Sequence, residues 1–317
     1  MSHHRDVPPS HDAARLVADP LFWRALSKQT QDLLTVHSTI PAEVHYLADI
    51  RRWMMIQVAI GLHLEHRRDP TCPQLTPKSL FAALDGTGVA SRNTVQAFLR
   101  ELTRVQLVDS VAPKTIRQRA PKVSEKSEKL MQVYIDIHLH ALDTIDGADR
   151  RAFLQRNPSF LFFVQPEFAK RICRSAAWYD PPETIRCFTN STSGSSILHD
   201  LVLATQALRV DVDDRVWVGT VSAAGLAQRY QVSPAHVARM LSRASELGAI
   251  GWSHAGRRGD CWLSAPLCKS YLLWQAEKLS ILSYAFKDAV RSFVDNAAPR
   301  AMARETQGTA KIATDVS

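Results

Sequence analysis

Apolar residues recur at helical spacing along most of the chain. Leu16, Phe22, Leu26, Leu33 and Leu34 predict helix over 13–36. A second helix, opened by Pro41 and running from Val44 to His66, carries Trp53, Met54, Met55, Ile56, Val58, Ile60 and Leu62. A helix apolar over so much of its circumference is expected to be largely buried. Thr76 followed by Pro77 is a cap residue before a proline at the first helical position, and it opens a short helix. Asp85 to Gly88 is a turn, and Ser91 caps a helix from Arg92 to about Gln106. Leu107 to Val111 reads as a short strand, Lys114 to Lys122 as a basic loop or hairpin, and Ser124 opens a long helix to about Ile145. Residues 147–196 are mixed, helix-like around 159–178, then interrupted by Pro181-Pro182 and a Ser/Thr-rich run from Asn190. Residues 196–209 are helical again, and Val216 to Val221 is a small strand or extended loop. Ser222 starts a short helix and Ser233 caps a longer one. Gly248 to Trp252 and Cys261 to Ser264 read as two strands around a glycine-bounded basic tip. A last long helix runs from about Pro266 to Asn296.

Two segments of this pattern match. In each, a capped short helix, a turn, a Ser-capped longer helix, a two-residue break and a strand follow in order, and a basic segment and long helix come next. Ser91 matches Ser233, Val95 matches Val237, Phe98-Leu99 matches Met240-Leu241, and Val105 matches Leu247. Helical spacing places Val95, Phe98, Leu99, Leu102 and Val105 on the inward face of the first helix, and Val237, Met240, Leu241, Ala244 and Leu247 on that of the second. The outward faces then carry Asn93, Gln96, Ala97, Arg100 and Arg104 in the first copy. In the second they carry Ala235, Arg239, Ser242 and Glu246, with His236 and Arg243 at the side. Asn, Gln and Arg can pair bidentately with purine edges in a major groove. Lys114, Arg117, Arg119 and Lys122 on one loop, and Arg257 and Arg258 on the other, suit phosphate or minor-groove contact.

Composition strengthens this reading. The 317 residues carry a formal charge of +8, and the isoelectric point is near 9.4. That balance favours an acidic partner, most often nucleic acid. Hydrophobic residues make up 45% of the chain, enough for sizeable cores. No run of about 18 apolar residues occurs, so no membrane span is expected. The start has no apolar segment of a secretory signal, and a cytoplasmic protein is expected. The five cysteines include no CxxC pair, which fits reduced thiols better than a disulfide framework or zinc site. No phosphate-binding glycine loop, GxSxG, HExxH or paired-carboxylate site is present, so no enzyme, cofactor or metal is expected.

The order of elements resembles the winged helix-turn-helix domains of MarR-type transcriptional regulators. The stretch Ser233-Pro-Ala-His-Val-Ala-Arg-Met-Leu-Ser-Arg-Ala-Ser-Glu-Leu-Gly-Ala-Ile250 is similar to that family's recognition helix and its exit into the wing. Val123-Ser-Glu-Lys-Ser-Glu-Lys-Leu130 is similar to its post-wing helix start, and the likeness covers about 75–146 and 196–290. The resemblance implies a mainly α fold with small β-hairpin wings, as two winged helix-turn-helix domains joined by a helical scaffold. The expected division is a disordered tail over 1–12, a first domain over 13–146, a connecting region over 147–195, a second domain over 196–298 and a disordered tail over 299–317. That family has one such domain per chain and pairs into homodimers, whereas this chain has two. It is therefore expected to act as a monomeric pseudodimer, or as a homodimer, on double-stranded DNA. The second wing also departs from the family, reading Gly-Arg-Arg-Gly-Asp at 256–260.

The expected DNA-contacting residues are Arg92, Asn93, Gln96, Arg100, Arg104, Lys114, Arg117 and Arg119 from the first copy. From the second they are Ser233, His236, Arg239, Ser242, Arg243, Arg257 and Arg258. Many MarR-like regulators sense a small molecule beside the DNA-binding lobe, and His45, Trp53, Tyr134 and His138 are the corresponding candidates, against the plainer reading of aromatic core packing. Cys261 and Cys268 are candidates for a redox switch. Two alternative functions stay open: a plasmid-type replication initiator with two winged-helix domains, and a winged-helix adaptor that binds protein instead of DNA.

Overall fold

A computed structural model of the chain describes residues 8–40, 43, 47, 49–109, 121–205 and 207–314, with side chains through residue 296. Among these, α1 (Ala13–Ala18), α2 (Phe22–Thr39) and α3 (Ile50–Arg68) lead into α4 (Pro77–Ala83) and α5 (Arg92–Arg104). A two-stranded antiparallel ladder follows, β1 (Val108–Asp109) on β2 (Lys122–Val123), and then α6 (Glu125–Asp146). Next come α7 (Arg150–Arg156), a 3-10 turn (Pro158–Phe160), α8 (Leu161–Ile172), α9 (Ala176–Tyr179), α10 (Glu183–Thr189) and α11 (Gly194–Ala204). The last part is β3 (Arg215–Thr220), α12 (Ala223–Tyr230), α13 (Pro234–Glu246), β4 (Ile250–His254), β5 (Arg258–Ser264) and α14 (Ala265–Thr314). Strands β3, β5 and β4 form one antiparallel sheet in that spatial order. The molecule is thus mainly helical, with two small antiparallel sheets among the described residues.

Helix α8 lies at the centre, packed between α3 and α14. Leu161, Val164, Phe168, Ala169 and Ile172 are all buried there. Gly61 on α3 permits the close approach, since a Cβ at that position would sit 3.3 Å from Ala169 Cβ. Pro166 lies inside α8, which continues through it. Proline lacks the N–H that would bond the carbonyl four residues back, and Arg68 Nη1 donates to that carbonyl, Phe162 O, at 3.3 Å. Buried Gln165 donates from Nε2 to Gln57 O at 2.9 Å and ties the same two helices. A ladder of edge-to-face rings, Phe153 on Phe160 at 4.9 Å and Phe160 on Phe286 at 5.1 Å, joins α7 and the 3-10 turn to α14. The segment over 147–195, read as a connector, therefore supplies the middle of the core. Its apolar density around 159–178 is what puts it there.

Both ends differ from expectation. Residues 8–12, placed in a disordered tail, are pinned down: the His11 backbone N–H donates to Ser283 Oγ at 3.0 Å, and its Nε2 donates to Asp146 Oδ2 at 2.7 Å. At the other end, α14 continues to Thr314 instead of stopping at Asn296. The added stretch is rich in Ala, the strongest helix former. Near the start, the expected helix over 13–36 breaks at Asp19-Pro20-Leu21 into α1 and α2. Helix α3 begins at Ile50, where the Asp49 carboxylate accepts from the backbone N–H groups of Arg51 and Arg52.

Candidate nucleic-acid interface and internal cavity

The two matching segments fold alike at the level of individual hydrogen bonds. Ser91 Oγ accepts from the Thr94 N–H at the start of α5, and Ser233 Oγ accepts from the His236 N–H at the start of α13, both at 3.2 Å. Both helices end in a left-handed residue at the same register, Gln106 at φ 58° and Gly248 at φ 65°. Beyond it, the Leu107 N–H reaches back to Leu102 O, and the Ala249 N–H to Ala244 O, each at 2.9 Å. This six-to-one bond is the Schellman closure of a helix end. The return strand then bonds the same position in both copies, Ser124 N–H to Leu107 O at 3.1 Å and Ser264 N–H to Ala249 O at 2.9 Å. The second copy has one strand more, since β3 pairs with β5 through Val216 opposite Leu263.

The burial pattern follows the apolar stripes. Val95, Phe98, Leu99 and Leu102 are buried in α5, and Val237, Met240, Leu241 and Ala244 in α13. Val105 and Leu247 are half-buried at the two exits. On the outer face of α5, Arg92, Asn93, Gln96, Arg100 and Arg104 are all exposed. Arg92 lies over the Phe81 ring at 5.4 Å, which braces it against α4. Arg100 Nε donates to Gln96 O at 3.3 Å, and Arg104 pairs with Glu101 at 2.9 Å.

The outer face of α13 is less open. Arg239 is exposed, and no hydrogen bond or ion pair engages it among the described residues. His236 is half-buried and donates from Nε2 to Thr192 O at 3.1 Å. Arg243 lies 3.9 Å from Glu183 on α10. The Ser233 hydroxyl is committed to its cap, and Arg257 donates to Ser242 Oγ while lying over the Trp252 ring at 5.8 Å. Of the seven residues expected to contact DNA here, Ser233 and His236 therefore act first as structural ties in this conformation. The connector folds back on one flank of α13, which the spacing of α13 alone could not reveal. Arg258 stands at the exposed tip, with Nε donating to Ala255 O at 3.2 Å. Lys114, Arg117 and Arg119 lie outside the described residues; Lys122 sits on β2 and is exposed.

Between α2, α3, α6, α11 and α14 lies a cavity of about 170 Å³. Trp53 and Tyr134 from the expected ligand set line it; His45 lies outside the described residues. His138 is not on the wall. It is fully buried behind Tyr134, ring centroids 4.2 Å apart, and its Nδ1 donates to Tyr134 O at 2.7 Å. Residues that the sequence reading did not single out complete the wall, among them His37, Trp178, His199, Trp274 and Lys278. Burial, with the charge of Lys278 second, pushes His37 down to about 4 and drives His138 and His199 well below the usual imidazole range. All three are neutral at pH 7. Cys261 and Cys268 are also buried, and burial pushes both thiols up to about 12. A redox sensor needs an accessible thiolate, so neither suits that role in this fold.

Among the described residues no helix is long and apolar enough to cross a membrane. Comparison of the chain with family models, curated proteins and solved structures gave no match.

Proposed function

We propose that the chain is a sequence-specific double-stranded DNA-binding protein, a transcriptional regulator built from two winged helix-turn-helix units. Helices α5 and α13 are the recognition helices, and the β1–β2 and β4–β5 hairpins are the wings. The carrying observation is the repeated unit itself: cap, helix, Schellman exit and return strand recur with the same bonds, each time turning a polar face outward. The chain's charge of +8 supports a polyanionic partner. Asn93, Gln96 and Arg100 would read one half-site, and Arg239 the other, with Arg258 on the backbone. Because the faces differ, Asn93 against Ala235 and Arg100 against Ser242, one chain would prefer two unlike half-sites. On this reading the two heads would occupy successive major grooves about one helical turn apart.

One set of observations favours a protein-binding scaffold as the second reading. Arg104, Arg257 and His236 spend donors inside the molecule, on Glu101, Ser242 and Thr192. The two readings separate on mutation. On a DNA site selected from random duplexes, Arg100→Ala and Arg239→Ala are each expected to weaken binding by about 1–3 kcal/mol and relax preference at one position. Arg258→Ala should weaken all duplexes alike and lower the salt slope by about one. Unchanged affinity in the Arg100→Ala, Arg239→Ala double variant would favour the scaffold.

A further inference from the structure

Lys278 sits on α14 and points its charge into the interior: the residue is only 3% exposed and lies on the cavity wall. Its Nζ stands 5.6 Å from the Trp178 ring centroid and 6.0 Å from that of Tyr134. No carboxylate or hydrogen-bond acceptor partners it among the described residues. The acid on this wall, Glu43, is paired with Lys126. A buried ammonium without a counter-charge is a costly feature, and natural folds keep such groups paired. Two tryptophans on the same wall set the character of the surface around the ammonium. The rings of Trp178 and Trp274 line the cavity, while their indole N–H groups are buried away from it and have no partner among the described residues. Trp274 and Trp178 stack at 4.5 Å, and Trp178 and Trp53 lie 4.7 Å apart, so the ammonium stands beside a broad aromatic surface.

The cavity thus offers one ammonium, against an aromatic and apolar wall and histidines held neutral. We propose that it binds a compact lipophilic monoanion, a monocarboxylate about the size of a single ring with a short acid arm, whose carboxylate pairs with Lys278 Nζ and whose body lies on the tryptophans. The volume suits that size, since a cavity of about 150 Å³ holds benzene. Burial pushes the ammonium down to about 7, so an incoming carboxylate would restore the charge that burial disfavours. The proposal stands apart from DNA binding and is tested without DNA.

Phenylacetate and its neutral isostere phenylacetamide separate charge from shape. Binding is followed by quenching of tryptophan fluorescence in the full chain and by calorimetry. Phenylacetate is expected to bind the native protein more tightly than the amide. Lys278→Met keeps an apolar side chain of similar length and removes only the ammonium, so the variant is expected to fold. It should lose about 10–100-fold in affinity for the acid, the range for a hydrogen bond to a charged group, while leaving the amide unchanged. Equal binding of acid and amide, no binding of either at millimolar concentration, or an unaltered acid affinity in Lys278→Met would each overturn the proposal.

Discussion

Lys278→Met is expected to raise the melting temperature at neutral pH by about 3–5 °C in the absence of ligand. Burial lowers the Lys278 ammonium from 10.5 to about 7, while the unfolded chain restores the ordinary value. Between about pH 7 and 10.5 the unfolded state binds the extra proton, so this site favours unfolding more strongly as pH falls through that window. The penalty is on the order of 4 kcal/mol at pH 7 and constant below it. Methionine removes the penalty but also the contacts of the ammonium with Trp178 and Tyr134, which are worth about 1–2 kcal/mol when desolvated. The remaining gain of about 2–3 kcal/mol is the expected effect. It should shrink as pH rises towards 10.5 and vanish above it, where Lys278 is neutral in the folded and the unfolded chain alike. Calorimetric scans of both proteins across pH 7–10 check this. A variant less stable than the native chain at pH 7 would show that Lys278 has a stabilising partner after all.

Arg150→Met is expected to do the opposite, lowering stability by about 3–5 kcal/mol, because removing one member of a buried ion pair strands the other. Arg150 is fully buried, with Nη1 on Asp143 Oδ1 at 3.1 Å and Asp146 Oδ1 at 2.8 Å. Its Nη2 donates to Asp146 Oδ2 at 2.6 Å and to Pro9 O at 2.7 Å, so the side chain also fastens the segment at 8–12. The two carboxyls respond differently. Burial pushes Asp146 up, but bonds from Arg150 and His11 outweigh it and hold the group at about 2. Burial dominates at Asp143 and raises it despite backbone N–H bonds from Arg151 and Arg150. The Asp146 contribution is present above about pH 4 and is lost as pH falls through the native value near 2. Urea titration at pH 7 should show the loss, and limited proteolysis should cut near Pro9 in the variant first. Native-like urea resistance would mean that this cluster does not bind the start of the chain to α6.

The local elements were largely legible in the sequence, because their signals are local. Ser91 and Ser233, Pro77 and Pro234, and the apolar stripes of α5 and α13 give boundaries within two residues of those observed. The tertiary placements were not. Nothing in 147–195 distinguishes a linker from a central layer except its density of Leu and Phe, and α8 proved central because Gly61 lets α3 approach it. The cover on α13 depends on Thr192 and Glu183, some 50 residues away in sequence, and no periodicity reports such contacts. Lys278 did leave a trace. It lies four residues after Trp274 and four before Leu282, both buried, and so falls on the apolar stripe of its helix. A lone lysine on such a stripe is the sequence signal of the cavity. His138 was expected on the wall from the family resemblance, yet the register of α6 turns Tyr134 to the cavity and His138 behind it.

Hydroxyl-radical footprinting on a duplex selected by the full chain from random sequence tests the two-headed reading most directly. Recognition by both α5 and α13 predicts two protected patches on one face, centred about 10 bp apart and unlike in sequence. Arg100→Ala should blur one patch and Arg239→Ala the other. Failure to enrich any sequence, with no protection even at low salt, would contradict DNA recognition. A single perfect palindrome centred on one chain would contradict the two unlike heads.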